Sequence, residues 1–182
     1  LTTWFYTAFL MAQTRMGISA KQIERETGVT YKTAWRMCKL IRQQLEEHGG
    51  LFSNEKPVEV DESYFGGKMK GGKRGRGSEN KTPVVGLVER GGKIVTKVIP
   101  NVKKNTLQPI VEEHVEKGST VYTDELRSYN GLIDAGYDHA KVLHSHDIYV
   151  IGDAHTNTIE GFWGNTKPGI TGVYRHVSPK YL

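Results

Sequence analysis

The spacing of apolar positions changes partway along the chain. From Thr2 to about Glu47 apolar residues recur at helical intervals without β-branched alternation. From Pro57 onward short alternating runs interleave with helical ones, and "GGLFSNEKP" separates the two regimes. Two regions are therefore expected, residues 1–50 and residues 57–182. The opening "WFYTAFLMA" predicts a packing helix, too short to cross a membrane and lacking the basic leader and cleavage pattern of a secretory signal. In "SAKQIERETGVTYKTAWRMCKLIRQQL" two helices flank a tight turn: Ser19 can cap the first, Gly28 suits a left-handed turn, and Thr30 can cap the second. On the second helix Ala34, Met37, Cys38, Ile41 and Leu45 share one face, and Lys32, Arg36 and Lys39 lie opposite. That is the pattern of a helix-turn-helix with a basic recognition face; a plain helical hairpin with solvated charges is the alternative.

In the second region the pattern predicts strand "PVEVDESYF", a Gly-rich loop, strand "PVVGLVER", a "GG" turn and strand "KIVTKVIP". Helix "NTLQPIVEEHVEKG", strand "STVYTDE", a short helix through "LRSYNGLIDAG", strand "AKVLHS" and a last helix from "HTNTIEGFWGNTKPGI" follow. Three hairpin-linked strands followed by alternating helix and strand imply an α/β fold, a mixed sheet flanked by helices in the ribonuclease H-like order. On the last helix Asn157, Glu160, Gly164 and Lys167 share a face, with Ile159, Phe162 and Trp163 roughly opposite. The local reading is a capping box, with Asn157 as N-cap and Glu160 reaching back to its N–H. Pro168 disfavours helical geometry at Lys167, so the helix is expected to end there.

Composition narrows the class. A chain of 182 residues with 37% hydrophobic and 25% charged residues is ordinary for a globular protein. The single cysteine, Cys38, excludes an internal disulfide and a cysteine zinc site, and suits a core position and a reducing, cytoplasmic setting. The net charge is +5, and "KMKGGKRGRGSENK", Lys68 to Lys81, holds six Lys or Arg against one Glu, so this segment carries the whole excess. Such a Gly-rich loop is either a solvated hairpin tip or a polyanion contact, made through Lys68, Lys70, Lys73, Arg74 and Arg76. A start at Leu1 and a stop after "HVSPKY" suggest that both ends of a longer protein are missing.

Three acids give the second region its candidate chemistry. Asp61 lies in its first strand, Asp124 at the end of a strand after a helical crossover, and Glu160 on the last helix. Where the first and fourth strands are neighbours the two Asp residues converge, and a helix across the sheet brings Glu160 to the same point. Separately, Asp124 could cap a helix beginning at Glu125, and Asp61 could sit exposed on an edge strand. Together, three such carboxylates repel one another unless a cation neutralises them, and hard oxygen ligands suit Mg²⁺ or Mn²⁺, in a pair of ions. His155 and Asn157 flank the Glu160 helix start, as groups that hold the acids in place or as DNA contacts. "HSHD", His144 to Asp147, offers a weaker transition-metal possibility, and Trp163 reads as core before it reads as a base-stacking platform.

"VEVDESYFGGK", "VYTDELRSY" and "HTNTIEGFWGNTKPGI" continuing through "GVYRHVSPKYL" resemble the ISXO-two-like transposase domain of bacterial insertion sequences, a DDE-type family. The resemblance covers nearly all of the chain. It implies Asp61, Asp124 and Glu160 as a metal-binding catalytic triad, Lys167 as a contact to transposon-end DNA, and double-stranded DNA as the partner. It also implies a bacterial, nucleoid-associated enzyme working as a homodimer or higher assembly on DNA, with no membrane association. The chain departs from the family in lacking the cysteine-rich zinc ribbon that commonly precedes the helix-turn-helix. A DNA-binding regulator without catalysis, and a ribonuclease H-like nuclease without strand transfer, are the rival readings.

Overall fold

The computed structural model describes residues 1–45, 51–66, 81–142, 155–175 and 177–182. The basic-loop residues Lys68, Lys70, Lys73, Arg74 and Arg76, and the "HSHD" stretch, lie outside the described residues. The chain divides into two compact units, Leu1–Gly49 with Asn165–His176, and Gly50–Gly164 with Val177–Leu182.

The helical unit contains α1 (Thr2–Gln13), α2 (Ala20–Thr27) and α3 (Tyr31–Gln44). Ser19 Oγ accepts the Gln22 N–H at 3.2 Å, Thr30 Oγ1 accepts the Thr33 N–H at 3.3 Å, and Gly28 closes α2 at φ 71°. Each is a terminus in which a side chain or a left-handed residue satisfies groups the helix cannot. Ile18, Ile23, Ala34 and Cys38 form the core, with Leu10, Met11 and Val29 packed against it. Burial raises the Cys38 thiol pKa, against a smaller opposing effect of Arg42.

One expectation is corrected here. Leu45 is 71% exposed, because it follows the last turn of α3 and has left the face that carries Met37 and Cys38. The opening helix packs as expected, through a stripe containing Thr7, Leu10 and Met11, while among the described residues Phe5 and Phe9 stay 70% and 53% exposed. Its apolar residues run round more of the helix than one contact stripe can cover.

The sheet unit is built on β1 (Val58–Phe65), β2 (Thr82–Glu89), β3 (Ile94–Val98), β4 (Thr120–Thr123) and β5 (Asp138–Lys141), in the order β3-β2-β1-β4-β5. β1–β2 and β2–β3 pair antiparallel, whereas β1–β4 and β4–β5 pair parallel. The first three strands form a meander; α4 (Lys104–His114) then carries the chain across the sheet to β4, a crossover that a parallel partner requires. Val58, Val60, Val85 and Leu87 pack one sheet face against Leu107, Ile110 and Val111 of α4. Alternation along β1 turns Glu59 and Asp61 to the other face, where α5 (Asn157–Pro168) begins. This mixed sheet between helices is a ribonuclease H-like fold. β1 is its central strand, so Asp61 is not on an edge. The β5 strand starts two residues before the "AKVLHS" run, whose remainder past Val142 lies outside the described residues. Among the described residues no helix is long and apolar enough to cross a membrane.

Candidate metal-binding acidic site

The site forms where β4 stops and β1 continues. Val60 pairs with Thr123, the last residue of β4, so Asp61 and Asp124 are the next residues of two adjacent parallel strands. Oxygens of Asp61, Glu62 and Asp124 lie within 4.8 Å of one another. Glu62 is the member that sequence reasoning missed. A period of two places it on the face opposite Asp61, with Val58 and Val60, and on pattern alone excludes it from an Asp61 site. Past Thr123, among the described residues, β1 has no strand partner on its β4 side, and the Asp61 and Glu62 carboxylates both reach the space beside Asp124.

Glu62 is buried, 8% exposed, and its Oε2 accepts the Tyr129 hydroxyl at 3.1 Å. Tyr129 is itself buried; that burial first, then the charges of Glu62, Asp61 and Asp124, holds its hydroxyl protonated well above the usual tyrosine range. It is therefore a fixed neutral donor among acids. Asp124 Oδ1 accepts the Leu126 N–H at 2.8 Å, an Asx turn leading into a 3-10 turn at Arg127–Tyr129. The expected helix from Glu125 is absent, but the turn serves the site by bringing Tyr129 under Glu62.

A second contact steadies the Asp124 backbone. Thr123 Oγ1 donates to the Asp124 carbonyl at 2.8 Å and lies 2.9 Å from His139 Nε2. With its one hydrogen committed, the hydroxyl can only accept from His139, which fixes the imidazole as the Nε2–H tautomer. Nδ1 is buried and has no hydrogen-bond partner among the described residues. Burial, and next the nearby Lys141, lower the His139 pKa to about 4, against the opposing effect of Asp138.

Glu160 is not one of the three clustered acids. It is exposed on the first turn of α5, where its Oε1 accepts the Thr156 hydroxyl at 3.0 Å. The expected capping box at Asn157 does not form. Asn157 is already helical and exposed, and the N–H groups of Thr158 and Ile159 donate to Glu59 Oε2 at 2.9 and 3.0 Å. A buried β1 carboxylate outcompetes the local amide because it satisfies two helix-end donors at once and meets the positive end of the helix with full charge. His155 is half-buried, with Nδ1 3.2 Å from Glu59 Oε1 and its carbonyl accepting from Arg90 Nη2 at 3.0 Å. Ile159 and Trp163 are buried, as the amphipathic pattern requires. α5 does not end at Lys167: it runs through Pro168 and widens into a π-helical stretch at Gly169–Tyr174. Pro168 keeps helical angles, φ −60° and ψ −36°, and the π-helical stretch begins directly after it.

Lys167 is exposed in the last turn of α5. Lys32, Arg36 and Lys39 are exposed on α3, interleaved with Tyr31 and Trp35, which are 51% and 40% exposed and which sequence reasoning passed over. Lys39 Nζ stands 5.5 Å from the Trp35 ring centroid.

Three converging carboxylates form a hard-oxygen donor set that fits Mg²⁺ or Mn²⁺ far better than a soft metal. Residues 53–182 match the family model described as the ISXO2-like transposase domain. The chain is 32% identical over 178 residues to a protein in transposable element ISH50 of Halobacterium salinarum, a match covering 88% of this chain and 58% of that relative. It is 39% identical over 75 residues to a transposase-like protein of Haemophilus influenzae, covering 41% of this chain and 60% of that relative. The chain thus spans less than two thirds of the length of both relatives. With a match over most of its length, the chain belongs to the ISXO2-like transposase family.

Proposed function

We propose that this chain is the catalytic part of a DDE-type DNA transposase, which hydrolyses a phosphodiester at a transposon end and joins the freed 3′-hydroxyl to target DNA. The observation that carries the reading is the convergence of Asp61, within β1, and Asp124, just past the end of the parallel β4, with Glu62 beside them. Asp61, Asp124 and Glu160 are the proposed metal ligands, and Glu62 is positioned to add a fourth carboxylate. A bound pair of Mg²⁺ or Mn²⁺ ions would supply charge neutralisation at the scissile phosphate and a lowered pKa for the attacking oxygen.

The chain's own residues do the remaining work. Tyr129 pins Glu62, the Asx turn pins Asp124, and Thr156 orients the Glu160 carboxylate. Lys32, Arg36 and Lys39 contact the transposon-end duplex from an exposed helix face, in the manner of a recognition helix. Lys167 and the basic loop of Lys68, Lys70, Lys73, Arg74 and Arg76 contribute phosphate contacts. The proposal includes assembly as a homodimer or larger complex on DNA, in the cytoplasm at the nucleoid.

The deciding experiment measures strand cleavage and strand joining on an end-bearing duplex with and without Mg²⁺. Asp61→Asn, Asp124→Asn and Glu160→Gln each abolish both steps while DNA affinity is kept or rises, because each removes negative charge and no phosphate contact. Cleavage without joining by the wild type would make the protein a nuclease; metal-independent DNA binding with no cleavage would make it a regulator.

A further inference from the structure

Glu59 has no part in the proposed triad, yet its carboxylate is engaged by two other segments of the chain. Its side chain is fully buried. Oε2 accepts the N–H groups of Thr158 and Ile159, while Oε1 accepts the Thr158 hydroxyl at 2.9 Å and Arg90 Nε at 2.8 Å. Arg90 also donates to the His155 carbonyl and lies 4.7 Å over the Tyr122 ring. One carboxylate thus joins β1, the end of β2 and the start of α5, over a separation of 99 residues in sequence to Thr158.

The location matters more than the number of bonds. Glu59 and Asp61 are two residues apart on one strand and share a sheet face, and Ile159, held through its N–H, directly precedes Glu160. A buried, doubly satisfied carboxylate permits little sliding or rotation of the helix it caps, because any shift would leave charge and helix-end donors unpaired in a dry site. We infer that Glu59 is a positioning residue: it sets the rotation and height of α5 relative to β1, and so places Glu160 with respect to Asp61. This inference rests on the proposed function, since placement of Glu160 matters only if Glu160 acts with Asp61.

The test uses the full chain carrying Glu59→Gln, and Thr158→Val as a milder second variant that keeps the backbone N–H and loses only the hydroxyl bond. Hydrogen exchange at Thr158, Ile159 and Glu160, Mn²⁺ binding by electron paramagnetic resonance, and the Mg²⁺ concentration for half-maximal cleavage are measured on each. Glu59→Gln is expected to speed exchange at those three amides at least tenfold with the rest of the sheet unit still protected. It weakens Mn²⁺ binding severalfold and raises the Mg²⁺ requirement by a similar factor, and Thr158→Val changes all three in the same direction by less. Should Glu59→Gln fail to fold, Thr158→Val, at an exposed position, decides the matter alone. Unchanged exchange, or faster exchange with wild-type Mn²⁺ binding and Mg²⁺ requirement, overturns the inference: Glu59 would then be a structural cap only. Mn²⁺ binding by the wild type that is indifferent to Asp61→Asn would instead sink the underlying reading, whatever Glu59 does to the helix.

Discussion

Gly86 on β2 lies directly across the strand pair from Asp61, and α5 rests on the space its missing side chain leaves. A Cβ at Gly86 would stand 2.7 Å from Trp163 Cζ2 and 2.8 Å from Ile159 Cδ1, distances no relaxed contact tolerates. The side chains in question are buried, so they cannot swing into solvent. Gly86→Ala is therefore expected to cost about 1–3 kcal/mol by overpacking, measured by urea unfolding. It should also lower cleavage more than a stability loss of that size explains, because the whole of α5 must lift away from Asp61. Wild-type cleavage in a stable Gly86→Ala protein would show that the height of α5 over β1 is unimportant.

The acidic cluster predicts an inversion of the usual effect of mutation. Without divalent ions, Asp124→Asn should be at least as stable as the wild type, since repulsion with Asp61 and Glu62 is relieved and the amide oxygen can still accept the Leu126 N–H. Added Mg²⁺ should then stabilise the wild type by roughly 2.7 kcal/mol at a hundredfold excess over its dissociation constant, and the variant by much less. Thermal melts with a chelator and with Mg²⁺ check both halves.

Tyr129→Phe removes a neutral donor from a buried acid. Loss of a hydrogen bond to a charged group costs about 1.5–3 kcal/mol, so the variant should melt lower in the absence of metal. A gain in stability would mean that Glu62 is held by other groups.

His139 gives an acid-side signature. Its folded pKa, about 4, lies below the ordinary histidine value, so it contributes stability that is fully present at neutral pH and is lost as pH falls through that lower value. The unfolded chain takes up a proton that the folded chain refuses. His139→Gln should therefore lose less stability than the wild type between about pH 6.5 and 4, and none differentially above that window. Parallel stability curves for the two proteins would contradict a buried neutral imidazole.

On α3, replacing Arg36 and Lys39 with Ala should weaken binding to the transposon end more than binding to random duplex, because a recognition helix reads base edges as well as phosphates. Equal losses on both DNAs would reduce this face to a nonspecific contact.

What could be read from the sequence was local. Ser19, Gly28 and Thr30 announce their helix ends because cap and capped group lie within a few residues. The adjacency of β1 and β4, and with it the meeting of Asp61 and Asp124, follows from a meander and a helical crossover. Glu59 was not readable as the cap of α5, since Asn157 offers a local cap and nothing in either segment marks their meeting. Glu62 was hidden by the very alternation that identified its strand. Whether Glu62 faces core or site depends on where a neighbouring strand ends, a property of β4 rather than of β1.

The helical unit has a consequence for the order in which the protein is made. Arg42 donates to the Tyr174 hydroxyl at 2.9 Å with its guanidinium 5.2 Å from the ring centroid, and Arg15 Nη2 donates to Asn165 at 3.2 Å. These helices thus leave the ribosome before their partners, which are encoded after the entire sheet. At elongation rates of about 5–20 residues per second the delay is on the order of ten seconds, ample time for secondary structure but not for the finished unit. A nascent chain cut short within the sheet unit would carry helices without their closing segment. Only a ribosome that has translated through Tyr174 releases a protein whose helical unit holds both of these contacts.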